Sequence, residues 1–152
     1  MEDAEYLDYQ MVEMRMKKQG MKHLLTLTSM ENLAVTYSKQ GKYEEASKLE
    51  LKVLDMRKRV LGPEHPNTLT SMANLSRTYV DQGKYEEAEA LQLKVHDLSN
   101  KVHGPKHPDT LTTMDNIANI YLQQGRCKEA EALQLKVLDL SKKVHEPNIL
   151  IP

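Results

Sequence analysis

His103 and His107 flank the sequence GPK, and His65 stands in a matching loop. Imidazoles are candidate metal ligands, but a structural metal needs about four converging donors. These histidines recur in copies 42 residues apart, spread along the chain, so no metal site is expected. The single cysteine, Cys127, has no histidine near it in sequence or register and reads as a small packed residue, not a nucleophile. The stretch GKYEEA lacks the earlier glycine and the following Ser or Thr of a phosphate loop. Asn74-Leu75-Ser76 matches a glycosylation sequon by chance, inside a predicted helix. Glu44 with Lys48, Asp55 with Arg59, Asp97 with Lys101 and Asp139 with Lys143 stand at i, i+4, acid first, the order that supports a helix. They read as solvated faces. No acid, base and nucleophile converge on any face, so neither catalysis nor a cofactor is expected.

The elements that carry these residues must therefore explain the chain. Its 152 residues suit about one domain, and 39% hydrophobic content suffices for a core. Twenty-one basic residues against twenty-two acidic ones, net charge -1, do not steer it toward nucleic acid or anionic lipid. One cysteine excludes an internal disulfide framework and fits a reducing, cytoplasmic address. No apolar run approaches a membrane span, and the acidic start MEDAEYLDYQ is unlike a signal peptide.

A period organises the chain. His65 to Lys106 aligned without a gap on His107 to Asn148 gives 26 identities in 42 positions. The same offset places a unit from Thr26 onward and pairs the opening EDAEYLDYQMVEMRMKKQG with Glu44 to Gly62. The chain reads as a half unit (1–22), three full units (23–64, 65–106, 107–147) and a tail (148–152).

Each unit reads as two helices. Met30, Leu33, Ala34 and Tyr37 fall at i, i+3, i+4, i+7, repeated as Met72, Leu75, Ser76, Tyr79 and as Met114, Ile117, Ala118, Tyr121. Gly41, Gly83 and Gly125 then end the first helix. The second helix carries Ala46, Leu49, Val53, Met56 and Val60, matched by Ala88, Leu91, Val95, Leu98 and Val102. Leu51 with Leu54, Leu93 with His96 and Leu135 with Leu138 widen its buried arc toward the next unit, where His96 is expected half-buried with a local partner. Between units, Gly62 and Pro63 stop a helix, Pro66 holds His65 extended, and Asn67 or Thr68 is expected to cap the next helix.

Leu33, Ala34, Tyr37, Gly41, Tyr43 and Ala46 and their equivalents closely resemble the tetratricopeptide repeat. A 42-residue unit with LGPEHPNTLTSMANLS is similar to the subtype of kinesin light chains and of fungal NACHT or NB-ARC receptor arrays. The resemblance implies an all-α fold, a right-handed α-solenoid of antiparallel helix pairs with about seven helices. Met30, Met72 and Met114 stand where the family often has tryptophan, and Glu50, Gln92 and Gln134 where it has an aromatic residue. The half unit lacks the proline punctuation around Gly20, with Met21 and Leu24 in its place. It is expected as one helix, Asp3 to Lys18, capping the first unit with Leu7, Met11 and Met14. At the other end Leu135 and Leu138 are expected exposed, to be covered by NILIP, a second copy or more chain, with a fragment of a longer array preferred.

Interaction is the function this implies. Off the buried stripe of each first helix lie Thr28, Asn32, Val35 and Lys39, then Thr70, Asn74, Arg77 and Asp81, then Thr112, Asn116, Asn119 and Gln123. In the resembling fold this face lines the concave groove. Asn32, Asn74 and Asn116 offer donor and acceptor to the backbone of an extended peptide or protein partner. Three helices spaced ~8–10 Å apart accommodate about six extended residues. Only Arg77 and Lys39 are basic there, beside Asp81, Glu31 and Asp115, so a carboxylate clamp is not expected. The competing reading is a structural spacer or self-association element that makes contact through the exposed C-terminal helix.

Overall fold

The computed structural model describes residues 2–19 and 24–145. They form seven helices: α1 (Glu2–Gln19), α2 (Leu24–Lys39), α3 (Tyr43–Val60), α4 (Pro66–Asp81), α5 (Tyr85–His103), α6 (Pro108–Gln123) and α7 (Cys127–His145). There is no strand among the described residues, and no described helix is long and apolar enough to cross a membrane. The junction at Gly20 and Met21 and the NILIP tail lie outside the described residues. The helices group into two compact units, α1–α4 and α5–α7.

In the first unit each helix packs on the next. Leu27, Met30 and Leu33 of α2 form a core with Val53 of α3 and Val12 of α1, with Tyr37, Leu49 and Met56 packed around it. The apolar stripe of α2 is buried as its 3.6-residue spacing requires. Helix α1 departs from expectation: Leu7, Met11 and Met14 are exposed, and Val12 is the buried contact. The reason is register. The period matches Leu7, Met11 and Met14 to Leu49, Val53 and Met56, which pack on the first helix of their own repeat, whereas Val12 matches Leu54, which packs on the next repeat. Helix α1 therefore meets α2 through Val12, an Asp8 carboxylate accepting from Thr36 at 2.9 Å, and Glu5 paired with Lys42 at 3.1 Å.

A second departure concerns the widened arc on α3. Leu54 is buried but Leu51 is exposed, as are Leu93 and the last-turn residues Val60 and Val102. Positions 51 and 54 are only about 60° apart on a helix, so they share one face, and the neighbouring helix covers that face at Leu54 but stops short of Leu51.

The turns are built alike. After α2, Gly41 sits at φ 77, its N–H donates to Ser38 O at 3.0 Å, and Lys42 N–H donates to Tyr37 O at 2.8 Å. This closing pair satisfies the last carbonyls and needs a left-handed residue. The same bonds close α4 and α6. The basic residue after each glycine lies over the tyrosine it bonds: Lys42 on Tyr37, Lys84 on Tyr79 and Arg126 on Tyr121, at 5.9, 5.8 and 4.0 Å.

Between units of the repeat, neither Asn67 nor Thr68 caps α4. His65 is the N-cap, its Nδ1 accepting from Asn67 N–H at 3.1 Å, and His107 does the same for Asp109 N–H. Pro66 and Pro108 occupy the first helical turn and hold the preceding histidine extended, which aims its ring at the orphan N–H. The Thr68 hydroxyl instead donates to Gly62 O at 2.8 Å, tying the loop down.

In the second unit, Leu111, Met114, Ile117, Ala118 and Ile120 of α6 are buried together with Ala130 of α7 and Val95 of α5. His96 is half-buried with Thr113 at 2.8 Å, the local partner expected. Ser99 and Thr110 meet at 3.1 Å. Arg126 bonds Glu89 and Glu129, and that pairing raises the Arg126 pKa and lowers that of Glu129. Cys127 is exposed, not packed: it opens α7, and its short side chain falls short of the half-buried placement of Tyr43 and Tyr85 at the same register. Two expected i, i+4 pairs form, Asp55 with Arg59 at 3.1 Å and Asp139 with Lys143 at 3.3 Å.

Candidate functional site

The twelve residues picked off the buried stripe lie on α2, α4 and α6. All are exposed except Asn74, which is half-buried. Their hydrogen bonding sorts them. The hydroxyls of Thr28, Thr70 and Thr112 donate to the carbonyls of Leu24, Pro66 and Pro108, each one turn back, at 3.1, 3.0 and 2.9 Å. A hydroxyl so engaged keeps only acceptor capacity for a ligand. Asn74 Oδ1 accepts from Arg77 Nη2 at 2.9 Å, which leaves its NH₂ group to donate. Asn32, Asn116, Asn119 and Gln123 present whole amides to solvent.

Within the first unit the structure brings several of these residues together. Between α2, α3 and α4 lies an open chamber of about 370 Å³. Val35 and Lys39 of α2 and Arg77 and Asp81 of α4 form its exposed rim, with Glu31, Ser38, Tyr43 and Asn74 half-buried along the walls. The floor is Ala34, Glu50, Val53, Ser71 and Thr78, all buried. Five of the predicted residues thus share one cavity: Val35, Lys39, Asn74, Arg77 and Asp81. Thr28, Asn32 and Thr70 do not line it. In the second unit Thr112, Asn116, Asn119 and Gln123 share the exposed side of α6.

The floor residues are what the sequence reading missed. Glu50 is 7% exposed, and its Oε1 accepts the Thr78 hydroxyl at 2.5 Å. Burial pushes its carboxyl up to about 7, with Glu31 and Asp81 adding to the rise while the Thr78 bond and Arg77 oppose it. Beneath the wall, Arg57 holds Glu31 through both guanidinium nitrogens, at 2.7 and 2.8 Å, and donates to the Ser71 hydroxyl at 2.7 Å. A signal for Glu50 did exist. It stands one turn from Ala46 and next to the buried stripe, where the other units carry the neutral Gln92 and Gln134. Among the described residues no group of His, Cys, Asp or Glu converges as a metal site. His103 and His107 stack, with centroids 4.3 Å apart.

Comparison with known proteins places this geometry in context. A tetratricopeptide repeat family model matches residues 51–94 and 78–143, and a second one matches residues 26–67. The chain is similar to two crystal structures of kinesin-light-chain, nearly identical TPR-like repeats from Podosopora anserina, at 29% identity to each. The TM-scores are 0.86 and 0.87, over 94% and 96% of this chain and 68% and 69% of those chains. BtubC from P. vanneervenii shares the fold alone, at 17% identity and a TM-score of 0.84 over 97% of this chain and 59% of that one. No curated protein matches the sequence.

Proposed function

The chain belongs to the tetratricopeptide repeat family, whose repeats generally mediate protein–protein interaction, and from that premise we propose that it is a non-catalytic module binding a peptide or protein partner along α2, α4 and α6. The observation that carries the reading is periodic. Asn32, Asn74 and Asn116 recur every 42 residues, each off the buried stripe, with Asn32 and Asn116 exposed and Asn74 half-buried. Side chains that both donate and accept pair with peptide backbone while reading little of its sequence. The chamber rimmed by Val35, Lys39, Arg77 and Asp81 adds a place where a partner side chain is sorted.

Replacing Asn32, Asn74 and Asn116 together by Ala tests this. A panel of extended peptides that binds the parent chain should lose binding to the triple variant while the helical circular dichroism stays the same. Unchanged binding by that variant removes the groove reading.

A second reading rests on a different observation. Leu135 and Leu138 of α7 are 59% and 52% exposed, a pair of apolar side chains suited to another helix. In that reading the chain is a spacer or self-association element whose α7 face makes the contact.

A further inference from the structure

Glu50 is a buried carboxyl whose recorded partner is a hydroxyl and not a cation. One oxygen takes the Thr78 hydroxyl, and among the described residues no basic side chain pairs with the carboxylate, although the charge of Arg77 acts on it. Arg57 is committed to Glu31, Ser71 and the Asn67 carbonyl, and Arg77 donates to Asn74 at the exposed rim. The second carboxylate oxygen is left to the chamber. A buried acid without a cation is costly unless something else supplies the charge. The register varies along the chain: Asp8 takes it in the half unit and accepts from Thr36 as Glu50 does from Thr78, whereas Gln92 and Gln134 fill it in the later units and Ile120 replaces Thr78.

The walls above Glu50 define what would reach it. Val35 at the rim and Ala34 and Val53 on the floor supply apolar lining, while Glu31, Ser38, Tyr43 and Asn74 make the walls between them. A chamber that offers apolar lining together with a buried carboxyl complements a methylene stem with a cationic head. A two-pronged guanidinium would have to share the oxygen that already accepts from Thr78, whereas an ammonium needs one strong bond to the other.

We propose that the chamber between α2, α3 and α4 is a lysine-selective subsite, in which a lysine side chain of the bound peptide passes Val35 and Val53 and pairs with Glu50. The subsite rests on the peptide-binding reading above and deepens it. The titratable and charged groups that share the chamber with Glu50 are Glu31 and Lys39 from α2, Tyr43 from α3, and Arg77 and Asp81 from α4. Glu31 is neutralised by Arg57, and Lys39 and Asp81 lie at the exposed rim. An arriving ammonium favours the ionised carboxyl, so binding releases a proton. Affinity therefore rises with pH through the range where Glu50 ionises, by about tenfold between pH ~6 and ~8, while the lysine stays charged throughout.

The test uses the whole chain and three blocked pentapeptides that differ only at the centre: lysine, norleucine or arginine. Binding is read from the backbone amide signals of Val35, Asn74 and Thr78 and from the carboxyl carbon of Glu50. The lysine peptide should shift these signals and move the Glu50 titration to lower pH. Norleucine and arginine should bind about tenfold more weakly. Glu50→Gln, the residue already present at this register in the later units, should weaken the lysine peptide about tenfold and abolish its pH dependence. Equal binding of lysine and norleucine, no shift with any peptide, or an unchanged affinity in Glu50→Gln overturns the subsite. The asparagine triple variant fails separately: a lysine peptide that binds at Glu50 while that variant keeps its other ligands sinks the groove and leaves the subsite standing.

Discussion

Arg57 on α3 grips Glu31 on α2 with both terminal nitrogens, Nη1 to Oε1 at 2.7 Å and Nη2 to Oε2 at 2.8 Å. The same Nη1 reaches Ser71 on α4, so one guanidinium ties three helices of the first unit. At the equivalent register the next unit has Ser99, Ala73 and Thr113, with no charge among them.

Arg57→Ala should destabilise the chain by about 3 kcal/mol, because it leaves the Glu31 carboxylate and the Ser71 hydroxyl without their shared donor. Glu31 is partly open to water, which keeps the loss at the low end for a buried pair. Replacing both partners, Arg57→Met with Glu31→Leu, should recover most of that loss. Urea unfolding followed by circular dichroism measures both. A double variant no more stable than Arg57→Ala contradicts the ion-pair account.

Glu50 should set a pH dependence of stability. Its folded pKa is raised from 4.5 to about 7, so between these values the folded chain keeps a proton that the unfolded chain has released. Its contribution is therefore fully present below pH ~4.5, falls as pH rises toward ~7, and is flat above. The change is on the order of 3 kcal/mol. Glu50→Gln removes it, so the variant should be the more stable protein at pH ~8 and match the parent near pH ~4.5. Parallel stability curves for the two proteins would show that Glu50 titrates normally.

Gly41→Ala should cost about 1 kcal/mol through the backbone alone. The glycine sits at φ 77, yet a methyl group there meets nothing within 4 Å. A thermal unfolding midpoint that falls by a few degrees fits this origin; an unchanged midpoint means the turn tolerates another conformation.

The self-association reading separates Leu138 from Leu135. By register Leu138 matches Leu54, which the next repeat buries, while Leu135 matches Leu51, which stays exposed. Light scattering should find a dimer or larger species that Leu138→Glu dissociates and Leu135→Glu leaves intact. A monomer at high concentration rules this reading out.

Much of the architecture was readable in advance because it depends on short spacings. The stripe of Met30, Leu33 and Ala34, the stop at Gly41 and the half-burial of His96 follow from periodicity, backbone sterics and register. The cap was not readable. Asn67 is the better capping residue by type, but Pro66 fixes the preceding histidine so that its ring, not the asparagine, meets the free N–H. The face of α1 was misread because two apolar sets compete on it, Leu7, Met11 and Met14 against Val12, and only the position of α2 decides which is covered.

What the amino-acid order determined by itself was local and repeated: where each helix starts and stops, which side of α2, α4 and α6 is apolar, and that three copies of one unit follow each other. Only the tertiary structure decided the chemistry of the chamber. Glu50 and Thr78 are 28 residues apart, and Arg57 and Glu31 are 26 apart. Desolvation of a charged side chain depends on what packs around it from distant segments, and hydrophobic period carries no such information. Among the described residues the one buried carboxylate, Glu50, became visible only once α2, α3 and α4 closed over it.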